Sequence, residues 1–159
     1  MSLAEHQRAM RDLIAGRAIA NDPYIEQASR AIGLEVTRDT IRGWRVFRLS
    51  QSCRLTTAIL RARGRFDEAL DAMQCSSPFI EELSRAFLES AIALGDELIA
   101  SVANFELALM GDEETIVDWP CDPYEVLAVL LRDEPLPELG HAPHRTFVSR
   151  SMPGRFRVV

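Results

Sequence analysis

Histidine and cysteine are the scarce groups from which metal sites and nucleophiles are built, and this chain holds three of each. His141 and His144 form a His-x-x-His step among Pro135, Pro137, Gly140 and Pro143. Two ligands at that spacing are half of a zinc-type site, a closed site needs three or four, and Cys121 is the one plausible helper. Cys53 and Cys75 lie at helical positions, where cysteine is commonly buried, and no Cys-x-x-Cys pair occurs. His6 falls in a first helical turn and reads as a surface residue. The acid pairs Glu81/Glu82, Asp96/Glu97 and Glu113/Glu114 read as solvated helix ends. A glycine-rich phosphate loop, a nucleophile elbow and a His-Glu-x-x-His helix are all missing from the sequence. The inventory predicts a chain that does no chemistry alone and has no cofactor of its own.

The elements that position these residues belong to one ordinary globular chain of 159 residues, with 47% apolar and 26% charged side chains. Folding reduces the surface from roughly 26,000 Å² to about 8,000 Å², enough burial to need no covalent staple. The composition argues against extended disorder and fibres. Apolar runs fall short of a membrane span, and the first residues lack a basic-then-apolar secretion pattern. Three widely spaced cysteines make a disulfide framework improbable, so a cytoplasmic setting is expected, with no membrane partner.

Charge is unevenly spread. All eighteen basic residues are arginine. Residues 38–65 hold eight of them against Asp39 alone, residues 66–143 hold two against eighteen acids, and residues 144–159 hold four and no acid. A basic helix beside acidic helices accounts for this pattern, and so does a basic surface that meets an anionic partner.

Ser2-Leu3-Ala4-Glu5 is a capping box that opens a helix over 3–19. Asp22-Pro23 starts a second, which Gly33 stops. A third runs from Arg38 to Arg63, ended by Gly64, with Ile41, Trp44, Phe47, Leu55, Ile59 and Leu60 in one stripe. Trp44 and Phe47 read as core on this stripe; if they face outward, Trp44 with Arg45 and Arg48 is the candidate docking surface for a partner. Short helices follow over 66–73, 78–93 (Phe79, Ile80, Leu83, Phe87 and Leu88 inward, opened by Ser77-Pro78) and 97–110, with Gly95-Asp96 between the last two. Beyond Gly111 the pattern changes: a strand over 115–119, a helix over 123–131 launched by Asp122-Pro123, a proline-rich loop, and a hairpin around Ser151-Met152-Pro153-Gly154. The expected fold is mainly α with a small α+β tail: a helical domain over 1–111, then a winged-helix-like strand–helix–hairpin unit over 112–159 with a three-stranded antiparallel sheet.

In that unit Phe147, Phe156 and Val158 are expected on one apolar face and Arg155 and Arg157 on the other. A sheet that ends with the chain has edge groups able to accept a guest strand. The candidate peptide-binding residues are Val117, Trp119, Leu127, Leu131, Phe147, Val148, Arg150, Arg155 and Arg157, the arginines attracting acidic side chains of the guest.

Several segments carry a resemblance: Trp44-Arg45-Val46-Phe47-Arg48, Ile99 to Leu109, Val117-Asp118-Trp119, Asp122-Pro123-Tyr124-Glu125-Val126, Phe147-Val148-Ser149-Arg150 and Pro153 to Val158. Over about 40–159 the chain resembles the partner subunits of multinuclear non-haem iron enzymes that modify ribosomally made peptides. The methanobactin-pathway and 3-thiaglutamate-pathway partners belong to that family, and the short length is most similar to the second, which serves modification of a C-terminal cysteine. The resemblance implies a non-catalytic subunit that holds a leader or carrier peptide by strand addition and forms a heterodimer with an iron-dependent peptide-modifying enzyme. The iron is then expected in that partner, and no nucleic acid is expected. The rival readings are a winged-helix-like nucleic-acid binder, opposed by the absence of any base in helix 123–131, and a small stand-alone hydrolase or redox enzyme.

Overall fold

The computed structural model describes residues 2–14, 16, 23–73 and 79–159. Among them the order is α1 (Leu3–Ile14), α2 (Pro23–Ser29), α3 (Gly33–Ser52), α4 (Arg54–Ala62), α5 (Phe66–Ala72), α6 (Ile80–Ile92), α7 (Glu97–Met110), β1 (Thr115–Trp119), α8 (Pro123–Arg132), β2 (His144–Val148) and β3 (Phe156–Val158). The chain is mainly helical with a small three-stranded antiparallel sheet at its C-terminal end, the fold class expected from the sequence. No helix of the described residues is long and apolar enough to cross a membrane. The expected Asp22 cap, the Ser77-Pro78 helix start, Cys75 and the end of the first helix at 17–19 lie outside the described residues.

Contacts divide the chain into two compact units, Met1–Arg48 and Leu49–Val159. In the first, the Ser2–Glu5 capping box closes in both directions: Glu5 N–H donates to Ser2 Oγ at 3.3 Å and Ser2 N–H to Glu5 Oε2 at 2.6 Å. Those bonds hold the Glu5 carboxyl below its usual range. A small core joins Ala9 and Leu13 to Ile25, with Met10, Ala28 and Leu34 packed on it. Gly33 begins α3 rather than ending α2. Turns from Arg30 N–H to Gln27 O and from Ala31 N–H to Ala28 O carry the chain across, and Gly33 lacks the positive φ of a helix stop. Trp44 and Phe47 are not core: they are 58% and 57% exposed and meet edge to face at 5.9 Å. Val36 is exposed as well, whereas Leu34 faces the small core and Arg38 donates to Leu13 O at 2.6 Å, so the buried face of α3 is a different one from the expected stripe.

In the second unit, Leu49, Ile59, Leu60, Phe87, Leu88, Ile99, Val102 and Val126 are fully buried. Burying each such side chain contributes about 1.5–3 kcal/mol against leaving it in water. The single helix expected over 38–63 is two helices broken at Cys53. Instead of continuing the main-chain ladder, the N–H groups of Leu55 and Thr56 donate to Glu106 on α7, both at 2.9 Å. A side chain inserted into the ladder is a sufficient cause for the break. Gly64 ends α4 as expected, at φ +67: Arg65 N–H reaches Leu60 O at 2.8 Å and Gly64 N–H reaches Arg61 O at 3.0 Å. Phe79, expected inward, is exposed at the head of α6. Asp96 caps α7 through Leu98 N–H and Ile99 N–H, and Asp122 caps α8 through Tyr124 N–H.

The sheet shares its core with α7, across the 111/112 boundary drawn from the sequence. Phe105 of α7 meets Trp119 of β1 at 5.6 Å and Phe156 of β3 at 4.9 Å. The helix layered under the sheet is therefore chiefly α7. The expected cover, α8, packs on α4 and touches the sheet through Tyr124 and Phe156.

Candidate functional site

Strand order is β1-β2-β3, with Val117 opposite Thr146, Ile116 opposite Phe147, and Phe147 opposite Arg157. Residues directly opposite share a face. Val117, Trp119, Thr146, Val148, Phe156 and Val158 therefore point toward α7, and Trp119 Nε1–H donates to Thr146 Oγ1 at 2.9 Å inside that layer. Ile116, Asp118, Arg145, Phe147 and Arg157 form the other face. Phe147 thus lies with the arginine rather than with Phe156 and Val158, and the Arg157 guanidinium sits 5.5 Å from its ring.

Ladder parity also fixes which main-chain groups are spent. Arg145 O accepts from Val159 N–H at 2.9 Å and Ser149 N–H donates to Arg155 O at 2.8 Å, so odd-numbered residues of β2 face β3 and even-numbered ones face β1. On β1, Thr115, Val117 and Trp119 then bond inward, while the N–H and C=O of Ile116 and Asp118 point away from the sheet. Ser101 Oγ–H of α7 takes Asp118 O at 2.8 Å. Among the described residues no hydrogen bond occupies the outward groups of Ile116. Beside this edge runs an open groove of about 770 Å³, lined by Ile116 of β1, Leu107 and Ala108 of α7, Arg85 of α6, and Asp112 and Glu113 between α7 and β1.

The candidate peptide-binding residues fall in four places. The side chains of Val117, Trp119, Leu127 and Val148 are buried in the core. Val148 is in the central strand, paired on both sides, so its main chain is not an edge. Leu131 is exposed on α8, and its carbonyl accepts from Arg54 at 2.9 Å. Phe147 and Arg157 are stacked on the outer face, and Arg155 stands in the hairpin turn at φ +65. Arg150 forms an ion pair with Asp112 and donates to Met110 O at 3.3 Å, tying the hairpin to the end of α7. The sequence reading named two β1 side chains but missed Ile116, the residue whose main chain faces the groove. Strand alternation contained that signal, and what it lacked was the order of strands.

Cys53 and Cys121 are buried. Burial pushes the Cys53 thiol up to about 11 and raises that of Cys121, where Glu125 and Asp122 add to the effect. His144 Nδ1 lies 2.6 Å from Ala142 O. Among the described residues no three His, Cys, Asp or Glu side chains gather where they would hold a metal ion. Glu106 is the buried carboxyl that sequence reasoning overlooked. Burial raises its pKa, and the hydrogen bonds from Thr56 and Leu55 oppose that rise without cancelling it.

Compared with known proteins, the chain matches no family profile, no curated protein and no solved structure.

Proposed function

We propose that this chain is an accessory subunit that captures an extended leader or carrier peptide as a fourth strand and presents it to an iron-dependent peptide-modifying enzyme. The observation that carries the reading is the pair of unspent outward main-chain groups of Ile116 on β1, along an open groove. Main-chain bonds to such an edge supply affinity whatever the guest's sequence, and the groove lining selects its side chains. Tethering the peptide raises its effective concentration at the partner's active site. The iron enzyme, the heterodimer and the 3-thiaglutamate-type pathway rest on the resemblance of the quoted segments. The exposed Trp44 and Phe47, with Arg45 and Arg48 nearby on α3, supply a docking face for that enzyme. Against the nucleic-acid reading, the exposed side of α8 offers Tyr124, Glu125, Ala128 and Leu131 with one base, Arg132, which is ion-paired with Glu134 at 3.3 Å.

The test is co-purification of the full chain with the products of adjacent genes. The wild type is expected to retain an iron enzyme and a short precursor peptide. Ile116→Pro removes an outward N–H while leaving the β1–β2 ladder intact, so it is expected to release the peptide and keep the enzyme. A Trp44→Ala, Phe47→Ala double variant is expected to release the enzyme and keep the peptide. Peptide retained equally by Ile116→Pro, or modification carried out by the chain alone, overturns the reading.

A further inference from the structure

Charges beside the open margin of the sheet are balanced within the chain: Asp118 is held by Arg145 at 2.8 Å, and Asp112 by Arg150. Apolar surface is what remains to choose a guest. On the outer face one row crosses all three strands, Ile116 of β1 opposite Phe147 of β2 and Phe147 opposite Arg157 of β3. At the β3 end the row is closed, with the Arg157 guanidinium 5.5 Å from the Phe147 ring. At the β1 end it stops on bare apolar surface, where Ile116 is 58% exposed. The neighbouring row, Asp118 with Arg145, is an ion pair complete in itself. Ile116 also carries the spare N–H and C=O, so the open main chain and the bare side chain belong to one residue.

We infer that the guest places an aromatic or β-branched residue opposite Ile116, where it extends the row to a fourth strand. The inference rests on the strand-addition reading and adds the guest's anchor to it. Pairs of aromatic and β-branched side chains gain most from standing directly opposite one another, and Ile116 offers one half of such a pair. In a strand laid along Ile116 the residues before and after the anchor turn to the other face, toward the groove. Leu107 and Ala108 line that groove, so small apolar residues suit those two positions. Residues two away from the anchor return to the outer face, where the Asp118 carboxylate is already paired and calls for no cation. The guest is thus an extended, neutral segment with one large apolar anchor.

The experiment uses the full chain and three end-capped nine-residue probes of Ser and Ala, alike but for a central Tyr, Val or Ala. Binding is followed by fluorescence anisotropy, and hydrogen exchange of the residue-116 amide reports the edge. The Tyr and Val probes are expected to bind about fivefold tighter than the Ala probe and to protect that amide. Their advantage should persist at about 0.5 M salt, since no charge underlies it. In Ile116→Ala the advantage is expected to fall below about twofold, and Ile116→Val should keep most of it. Equal binding by all three probes with the amide protected overturns the anchor and leaves strand addition standing. A Tyr and Val preference that Ile116→Ala leaves unchanged overturns it as well, because the preference then arises elsewhere. Failure of every probe to protect the amide, whether it stays open or is covered by a second copy that no probe displaces, overturns both the inference and the reading beneath it.

Discussion

Glu106→Gln keeps the size of the side chain and changes what it offers to α4. The two carboxylate oxygens now accept from Leu55 N–H and Thr56 N–H, both at 2.9 Å, and the residue is buried. They stand in for a local cap, since Cys53 makes no side-chain capping bond. With the carboxyl protonated, the form that burial favours, each bond contributes about 1 kcal/mol. In the amide one oxygen keeps such a bond, while the NH₂ group faces the other N–H and leaves buried donors unmet at roughly 1–3 kcal/mol. Above the native pKa the cost of burying the carboxylate offsets part of this difference. At pH 4.5 the net destabilisation is about 2–3 kcal/mol, which lowers the midpoint of a unit of this size by roughly 8–20 °C. Urea unfolding followed by far-ultraviolet circular dichroism measures it. Because the lost function is capping, Cys53→Ser in a Glu106→Ala background should return about 1 kcal/mol. Stability of Glu106→Gln within about 0.5 kcal/mol of the wild type, without rescue by Cys53→Ser, refutes the reasoning.

Glu106 also has a pH signature. Its native pKa lies above the unfolded value near 4.5, so its contribution is complete below that value and is lost as pH rises through the native one. The stability gap between wild type and Glu106→Gln should therefore narrow from pH 4.5 toward neutrality in parallel urea titrations, and a widening gap contradicts the burial argument. Val148→Pro breaks a strand paired on both sides and should cost about 3 kcal/mol or more, whereas Ile116→Pro should shift the midpoint by a few degrees at most; equal losses in thermal unfolding would show the parity assignment to be wrong. Cys53, with its thiol pushed up to about 11 and no exposure, should react with a disulfide reagent at pH 8 in the unfolded chain alone. Labelling of native Cys53 followed by mass spectrometry would contradict that.

The features readable in the sequence were those set by neighbours along the chain. The Ser2–Glu5 box, Asp96, Gly64 and Asp122-Pro123 each satisfy main-chain groups within a few residues, so their local pattern is enough. The β-branched run at 115–119 and the turn at 151–154 are of the same kind. What escaped depended on partners far away in sequence. The break at Cys53 is made by a carboxyl more than fifty residues later, and nothing in Ser52-Cys53-Arg54 announces it. The apolar stripe of α3 suggested core because periodicity shows that a face is apolar and is silent on whether anything covers it. The face of Phe147 needed the register against Arg157, since Phe147 and Phe156 sit on different strands joined by a turn of unread geometry. Of the candidate site, the sheet and its spare edge were legible, and the edge that opens onto a groove was not.

The outward N–H and C=O of Ile116 leave β1 open to the same strand of a second copy as well as to a guest. Two such margins meet antiparallel about a two-fold axis, a contact that closes on itself and stops at a pair. A bound guest strand competes with that pairing, so cargo and self-association exclude each other.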